Sequence, residues 1–159
     1  MGKELKTNAM RFLDKNKIEY TVQTYQCTDF IDGIHVAEML GQPLDETFKT
    51  LIAHGRSGRY YCFLLPVAQE LDLKKAAKSV EEKSVELLHV NDITKVTGYV
   101  RGGCTPIGMK KQFMTVVHAS AEELPLFYIS GGRIGTQIRL SPKELVKAIN
   151  GRFEDIISL

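Results

Sequence analysis

Apolar positions along the chain change period several times, and each change marks an element. Residues Ala9, Met10, Phe12, Leu13 and Ile18 follow helical spacing, which predicts an amphipathic helix capped by Thr7 or Asn8 and ending near Asn16. Tyr20, Val22 and Thr24 then alternate with Thr21, Gln23 and Tyr25 as a short strand, and residues 36–40 form a short helix closed by Gly41. Residues 48–54 and 60–65 are rich in β-formers and flank Gly55-Arg56-Ser57-Gly58-Arg59, so they read as a central antiparallel hairpin. Residues 71–80 have helical spacing with Lys74, Lys75 and Lys78 toward solvent, and Asn91 is a candidate cap for another short helix. Later strands fall at Val116-Val117, residues 127–130 and residues 137–140, the last two separated by a turn at Gly131-Gly132-Arg133-Ile134-Gly135. Ser141, Pro142 and Glu144 begin a final helix as N-cap, first helical residue and capping-box partner, and Gly151 ends it.

Short helices interleaved with hairpin-linked strands, without regular βαβ spacing, imply an α+β fold. The expected architecture is a single compact domain over residues 1–159, with a curved, mostly antiparallel or mixed sheet and short flanking helices. No linker, repeat or low-complexity stretch interrupts it. The length of 159 residues and 43% hydrophobic content suit one buried core.

Charge narrows the function classes. Lys and Arg total 21 against 19 acidic residues, and a net charge of +2 does not support wrapping on DNA or RNA, so any RNA contact must come from local clusters. No apolar run is long enough to cross a bilayer, and Met1-Gly2, which superficially resembles a myristoylation start, lacks a second anchor. A soluble, cytoplasmic protein without a membrane partner is expected. Cys27, Cys62 and Cys104 are odd in number and far apart, which implies neither a disulfide framework nor zinc, and no metal or other cofactor is expected.

Three segments carry candidate chemistry. Lys49 lies within the apolar run Phe48-Lys49-Thr50-Leu51-Ile52, on the face opposite Phe48; it is either a fixed cation in a cleft or an edge lysine snorkelling to water. The glycine-rich stretch from Gly98 through Arg101, Gly102, Gly103, Cys104, Thr105 and Pro106 to Gly108 can aim several amide N–H groups at one oxyanion, with Lys110 and Lys111 as a cationic rim; an ordinary turn is the alternative. Ser130-Gly131-Gly132-Arg133 fits a second cleft wall or a plain hairpin. The glycine-rich stretch is neither a P-loop nor a dinucleotide fingerprint. His35, His54, His89 and His118 are scattered, and no Ser, Cys or Asp pairs with one by local spacing, so no triad is expected. The six tyrosines fit either stacking on a terminal adenine or sheet packing.

Taken in order from about residue 7 to 153, Asn16-Lys17-Ile18, Phe48-Lys49-Thr50-Leu51, Leu71-Asp72-Leu73-Lys74-Lys75, the Gly98–Gly108 stretch and Ser130-Gly131-Gly132 resemble the YbaK/EbsC-type Cys-tRNA(Pro) deacylases, of the prolyl-tRNA synthetase editing-domain superfamily. The resemblance implies a cleft that admits the aminoacylated 3′ end of tRNA(Pro), with Lys49 as the key lysine. It implies Gly102 and Gly103 amides as oxyanion-stabilising or carbonyl-orienting groups in a Gly-x-x-x-Pro loop ending at Pro106. Tyr25, Thr50 and Ser130, with Gly131 and Gly132, would line the pocket, and Arg101, Lys110, Lys111 and Arg133 would meet RNA. It further implies trans-editing in which the substrate's own thiol attacks its ester, with prolyl-tRNA synthetase as a partner in a ternary complex. A pocket suited to alanine, or a non-catalytic tRNA- or synthetase-binding module, are the alternatives. The chain departs from the family pattern at Gln137, where an acidic residue can follow the Ser-Gly-Gly turn. The segment 27–33 is also shorter, with Phe30 the candidate pocket aromatic.

Overall fold

The computed structural model describes residues 6–26 and 31–158. Helix α1 (Asn8–Lys15) is capped by Thr7, whose hydroxyl accepts from Met10 N, and it buries Ala9, Met10 and Leu13. Strand β1 (Tyr20–Thr24) follows, then α2 (Gly33–Leu40), which begins three residues earlier than the apolar pattern suggests because Asp32 caps it. Gly41 closes α2 in the left-handed region at φ 67°. Strands β2 (Phe48–Gly55) and β3 (Tyr60–Pro66) form the expected antiparallel hairpin.

Helix α3 (Leu73–Ser79) starts after Asp72, which accepts from Lys74 N and Lys75 N. Lys74 and Lys78 face solvent, and Lys75 does so only in part: its Nζ lies 3.0 Å from Asp155 Oδ2 and 2.9 Å from Ile157 O, tying α3 to residues 155–157. Strand β4 (Val85–Leu87) and helix α4 (Ile93–Thr97) follow. Asn91 is not a cap; it sits in a 3-10 turn whose cap is His89, with Nδ1 accepting from Asn91 N. Strands β5 (Met114–His118), β6 (Phe127–Arg133) and β7 (Thr136–Leu140) precede helix α5 (Pro142–Ala148) and strand β8 (Arg152–Glu154). Ser141 caps α5 as its sequence implies. The left-handed residue after α5 is Asn150 rather than Gly151, whose missing side chain leaves room for Thr115 O, 2.8 Å from where a Cβ would lie.

The α+β class holds, and the strands divide into two sheets. One has the order β1-β7-β6 and is antiparallel; the other has the order β4-β2-β3-β5-β8 and mixes antiparallel pairs with the parallel pairs β3/β5 and β5/β8. Alternation assigns the two faces of the larger sheet. Phe48, Ile52, Cys62, Leu64 and Val117 pack toward the smaller sheet, α1 and α5, whereas Ala53, Tyr61, Phe63 and Val116 pack toward α3 and Ile156.

The glycine-rich stretch meets α1 at Gly108. Its φ is 71°, and a Cβ there would lie 2.6 Å from Asn8 C and 2.7 Å from Tyr99 Oη, neither free to move. Gly108→Ala is therefore expected to cost at least about 2 kcal/mol, from left-handed strain and overpacking together. Urea denaturation checks this, and an unchanged midpoint would contradict the packing described.

Candidate active site

The cleft exists because β2 and β6 begin side by side and then part. Thr47 makes one parallel bridge with Tyr128. Thr47's own N–H goes to Leu44 O at 3.4 Å and its carbonyl accepts from Val67 N at 2.9 Å, so the bridge runs through the flanking groups. Beyond it the strands diverge, and β4 joins the edge of β2 only at Ala53–Leu87. The wedge left between them, closed on a third side by α2, is a cleft of about 640 Å³.

Lys49 is a cleft residue, not an edge lysine in open water. It is half-buried, its Nζ is 3.3 Å from Val67 O, and desolvation pulls its pKa below the ordinary 10.5, opposed by the charge of Glu70. Tyr25, Thr50, Arg101, Gly102, Ser130 and Gln137 line the same cavity, so the structure brings seven of the expected site residues together. Phe30 lies outside the described residues. The Thr50 hydroxyl is buried with no hydrogen-bond partner among the described residues.

The other expected site residues do not line the cavity. Gly103's N–H donates to Val100 O at 2.9 Å, which engages it within the turn, and a Cβ on Gly103 would sit 2.8 Å from Arg133 Cα. Gly103 thus lets the loop pack on β6, and of the two expected amides only that of Gly102 belongs to a residue lining the cavity. Pro106 is buried behind the cleft, its carbonyl accepting from Gln112 Nε2 at 2.9 Å. Gly131 and Gly132 belong to β6 rather than to a turn and form a bulge between Ser130 and Arg133. That bulge receives α1: Thr7 Oγ1 donates to Gly131 O at 2.6 Å, and a Cβ on Gly132 would meet Thr7 at 3.0 Å. Lys110 Nζ reaches Lys95 O at 3.3 Å and Arg133 Nε reaches Thr136 Oγ1 at 3.2 Å, while Lys111 is exposed, so of the expected RNA contacts Arg101 alone lines the cleft.

Cys104 also faces the cavity, yet burial pushes its thiol up to about 11, and Cys62, deeper in the core, is raised by the same cause. Neither supplies a thiolate at neutral pH.

Two features were missed in the sequence. The Gln137 amide is 5% exposed and forms a reciprocal pair with Gln42: Gln42 Nε2 donates to Gln137 Oε1 at 2.6 Å, and Gln137 Nε2 donates to Gln42 Oε1 at 3.0 Å. Thr47 Oγ1 adds a long bond of 3.4 Å to Gln42 Oε1, so clasp and bridge share one residue. Nothing local in either sequence segment signals a partner 95 positions away. The second is Asp32 and His35 at the cleft mouth, with Nδ1 2.6 Å from Oδ2. Here the i, i+3 spacing ahead of a helix was a readable signal, and the expectation that no histidine pairs locally with an Asp is corrected. Both side chains are exposed, and Asp32 raises the pKa of His35. Among the described residues no group of three His, Cys, Asp or Glu side chains is placed to hold a metal.

A two-sheet α+β domain with a lysine-bearing cleft between splayed strands is the frame of an editing domain. Residues 34–148 match the aminoacyl-tRNA editing domain model, and the chain belongs to that family. It is 41% identical over 152 residues, 95% of its own length and 93% of the relative's, to an Enterococcus faecalis protein, EbsC, named as a candidate Cys-tRNA(Pro)/Cys-tRNA(Cys) deacylase. A 75-residue stretch is 36% identical to part of the proline–tRNA ligase of Fervidobacterium nodosum, covering 47% of this chain and 13% of the ligase. Two solved structures share the fold. One is a hypothetical protein (TM-score 0.87, 23% identity, 95% and 99% of the two chains covered). The other is titled as a candidate trans-editing enzyme for prolyl-tRNA synthetase (TM-score 0.81, 21% identity, 98% and 100% covered).

The clasp gives a stability test. Gln42→Leu leaves a buried Gln137 amide without its partner and is expected to cost about 1–3 kcal/mol. Thermal or urea unfolding measures this, and wild-type stability would show that the pair contributes nothing.

Proposed function

We propose that the chain removes a mischarged amino acid, cysteine, from tRNA(Pro) in trans, with the substrate thiol as nucleophile. The observation that carries this reading is a half-buried ammonium, Lys49, in a cleft whose own thiol, Cys104, is held protonated by burial. A cation there polarises an ester carbonyl or holds the terminal phosphate, and confinement keeps the reacting groups at short range. In the proposed step the cysteinyl sulfur bonds to its own carbonyl carbon and the bond to the ribose oxygen breaks. The thiol proton ends on that oxygen, and the cyclic thiolactone then takes up water to give free cysteine.

The name carried by the Enterococcus faecalis relative supports the amino acid and leaves two tRNAs to compare. The partial likeness to a proline–tRNA ligase supports prolyl-tRNA synthetase as the partner that presents the tRNA, since Arg101 alone among the expected RNA contacts borders the cleft.

Lys49→Met separates function from folding. Burial disfavours the ammonium in the folded state, so between the depressed folded pKa and 10.5 the unfolded chain binds more protons and stability rises with pH. Removing the charge is therefore expected to leave the Tm at or above that of the wild type, while deacylation of Cys-tRNA(Pro) falls about a hundredfold or more. Activity that needs the cation is lost at high pH, on a limb below that of a free lysine. The assay compares Cys-tRNA(Pro), Ala-tRNA(Pro), Ser-tRNA(Pro) and Cys-tRNA(Cys), with cysteine on tRNA(Pro) expected to turn over fastest and serine far more slowly. Full turnover by Lys49→Met, or equal rates for serine, would contradict the proposal.

A further inference from the structure

Between the Thr47–Tyr128 bridge and the β4 ladder, no described strand pairs with the edge of β2 at Thr50. Odd residues of this strand address β3: Thr47 O accepts from Val67 N, and Gly55 N donates to Arg59 O. Even residues address the opposite edge, where Ile52 O accepts from Leu88 N at 2.8 Å and Arg56 N donates to Ser84 O at 3.0 Å. Thr50 falls between the Thr47–Tyr128 bridge and the start of the β4 ladder at Ala53, so its N–H and carbonyl point to an edge on which, among the described residues, no strand is paired. Its hydroxyl is, independently, a buried polar atom without a partner among the described residues, and Thr50 lines the cleft. Buried polar atoms are normally satisfied, so one left open beside a cavity points to a ligand.

An aminoacyl ester carries what this edge lacks. Its α-ammonium is a donor and its carbonyl an acceptor, separated by one tetrahedral carbon, as in a single residue of a strand. We infer that the aminoacyl group docks as a one-residue extension of the larger sheet, exchanging two hydrogen bonds with the Thr50 backbone and laying its side chain against the Thr50 hydroxyl. This rests on the deacylase reading and deepens it. In an antiparallel hydrogen-bonded pair the two residues exchange both bonds across about 5.5 Å between Cα atoms, and their side chains share a face. An L-cysteinyl thiol therefore lies beside Thr50 Oγ1, which accepts its S–H. A D-residue held by the same two bonds sends its side chain to the opposite face. As the ester carbonyl becomes an oxyanion, the Thr50 N–H already points at it, which supplies the donor that the engaged Gly103 N–H does not.

Three comparisons test this on the full chain. Wild-type protein is given L-Cys-tRNA(Pro) and D-Cys-tRNA(Pro), and kcat/KM for the D form is expected to be at least about tenfold lower. Thr50→Val is expected to lose about three- to tenfold, the worth of one neutral hydrogen bond, and Thr50→Ser to keep most of the activity. Replacing Thr50 by its α-hydroxy acid counterpart, which turns the amide N–H into an ester oxygen, is expected to lower kcat/KM about a hundredfold, as for a lost oxyanion donor. Far-UV circular dichroism shows whether each variant is folded, and the D/L comparison needs no variant. If the wild type cleaves L-cysteinyl ester but the D form reacts equally fast and the backbone ester is silent, the docking mode falls and the deacylase reading stands. If the wild type cleaves no cysteinyl ester, both fall.

Discussion

The separation of β2 from β6 is the constraint on which the site depends. One bridge at Thr47 joins the two sheets, and beyond it no described residue of β6 pairs with β2. Had β6 continued alongside β2, the edge at Thr50 would be paired and Lys49 would flank a continuous sheet. The smaller sheet instead turns away, with Gln42 and Gln137 holding the base of the opening and the bulge after Ser130 receiving α1. Divergence of neighbouring strands is a common way to open a ligand crevice in a sheet.

That geometry explains why Lys49 tolerates its position. A lysine in the middle of a β-former run is costly unless its head reaches a polar group or water, and here the wedge provides Val67 O and an open mouth. The glycines around the site act mostly through close approach. Gly103 brings the 98–108 loop against the Arg133 backbone, and Gly132 admits Thr7, so one glycine expected to present its amide and one expected in a wall or turn both serve to pack the walls of the cavity. A cleft with a fixed cation and an inert thiol suits chemistry in which the substrate brings its own nucleophile.

Much of this was readable from the sequence wherever the physics is local. The caps at Thr7, Gly41 and Ser141 and the hairpin around residues 55–59 depend on neighbours within a few positions. The family resemblance located Lys49, Tyr25, Thr50, Gly102, Ser130 and Gln137, all of which the fold gathers. What escaped notice is non-local or short. The three-residue strands β4 and β8 carry too few residues to show alternation, and the parallel pairing of β3, β5 and β8 leaves no turn signature. The Ser-Gly-Gly segment has turn composition but serves as a bulge, because its glycines answer to α1 rather than to the chain direction. The Gln42–Gln137 clasp is invisible until the fold is known.

The central claim is that the wedge between β2 and β6 receives the aminoacyl end of tRNA. Amide chemical-shift mapping with a terminal adenosine carrying cysteine through a stable amide bond tests it most directly. Perturbations are expected at Thr50, Gly102, Ser130 and Gln137, and at the Gln42 and Gln137 side-chain amides. Shifts confined to the α3 and β4 surface around Lys78 and Ser84, with the wedge unmoved, would contradict it.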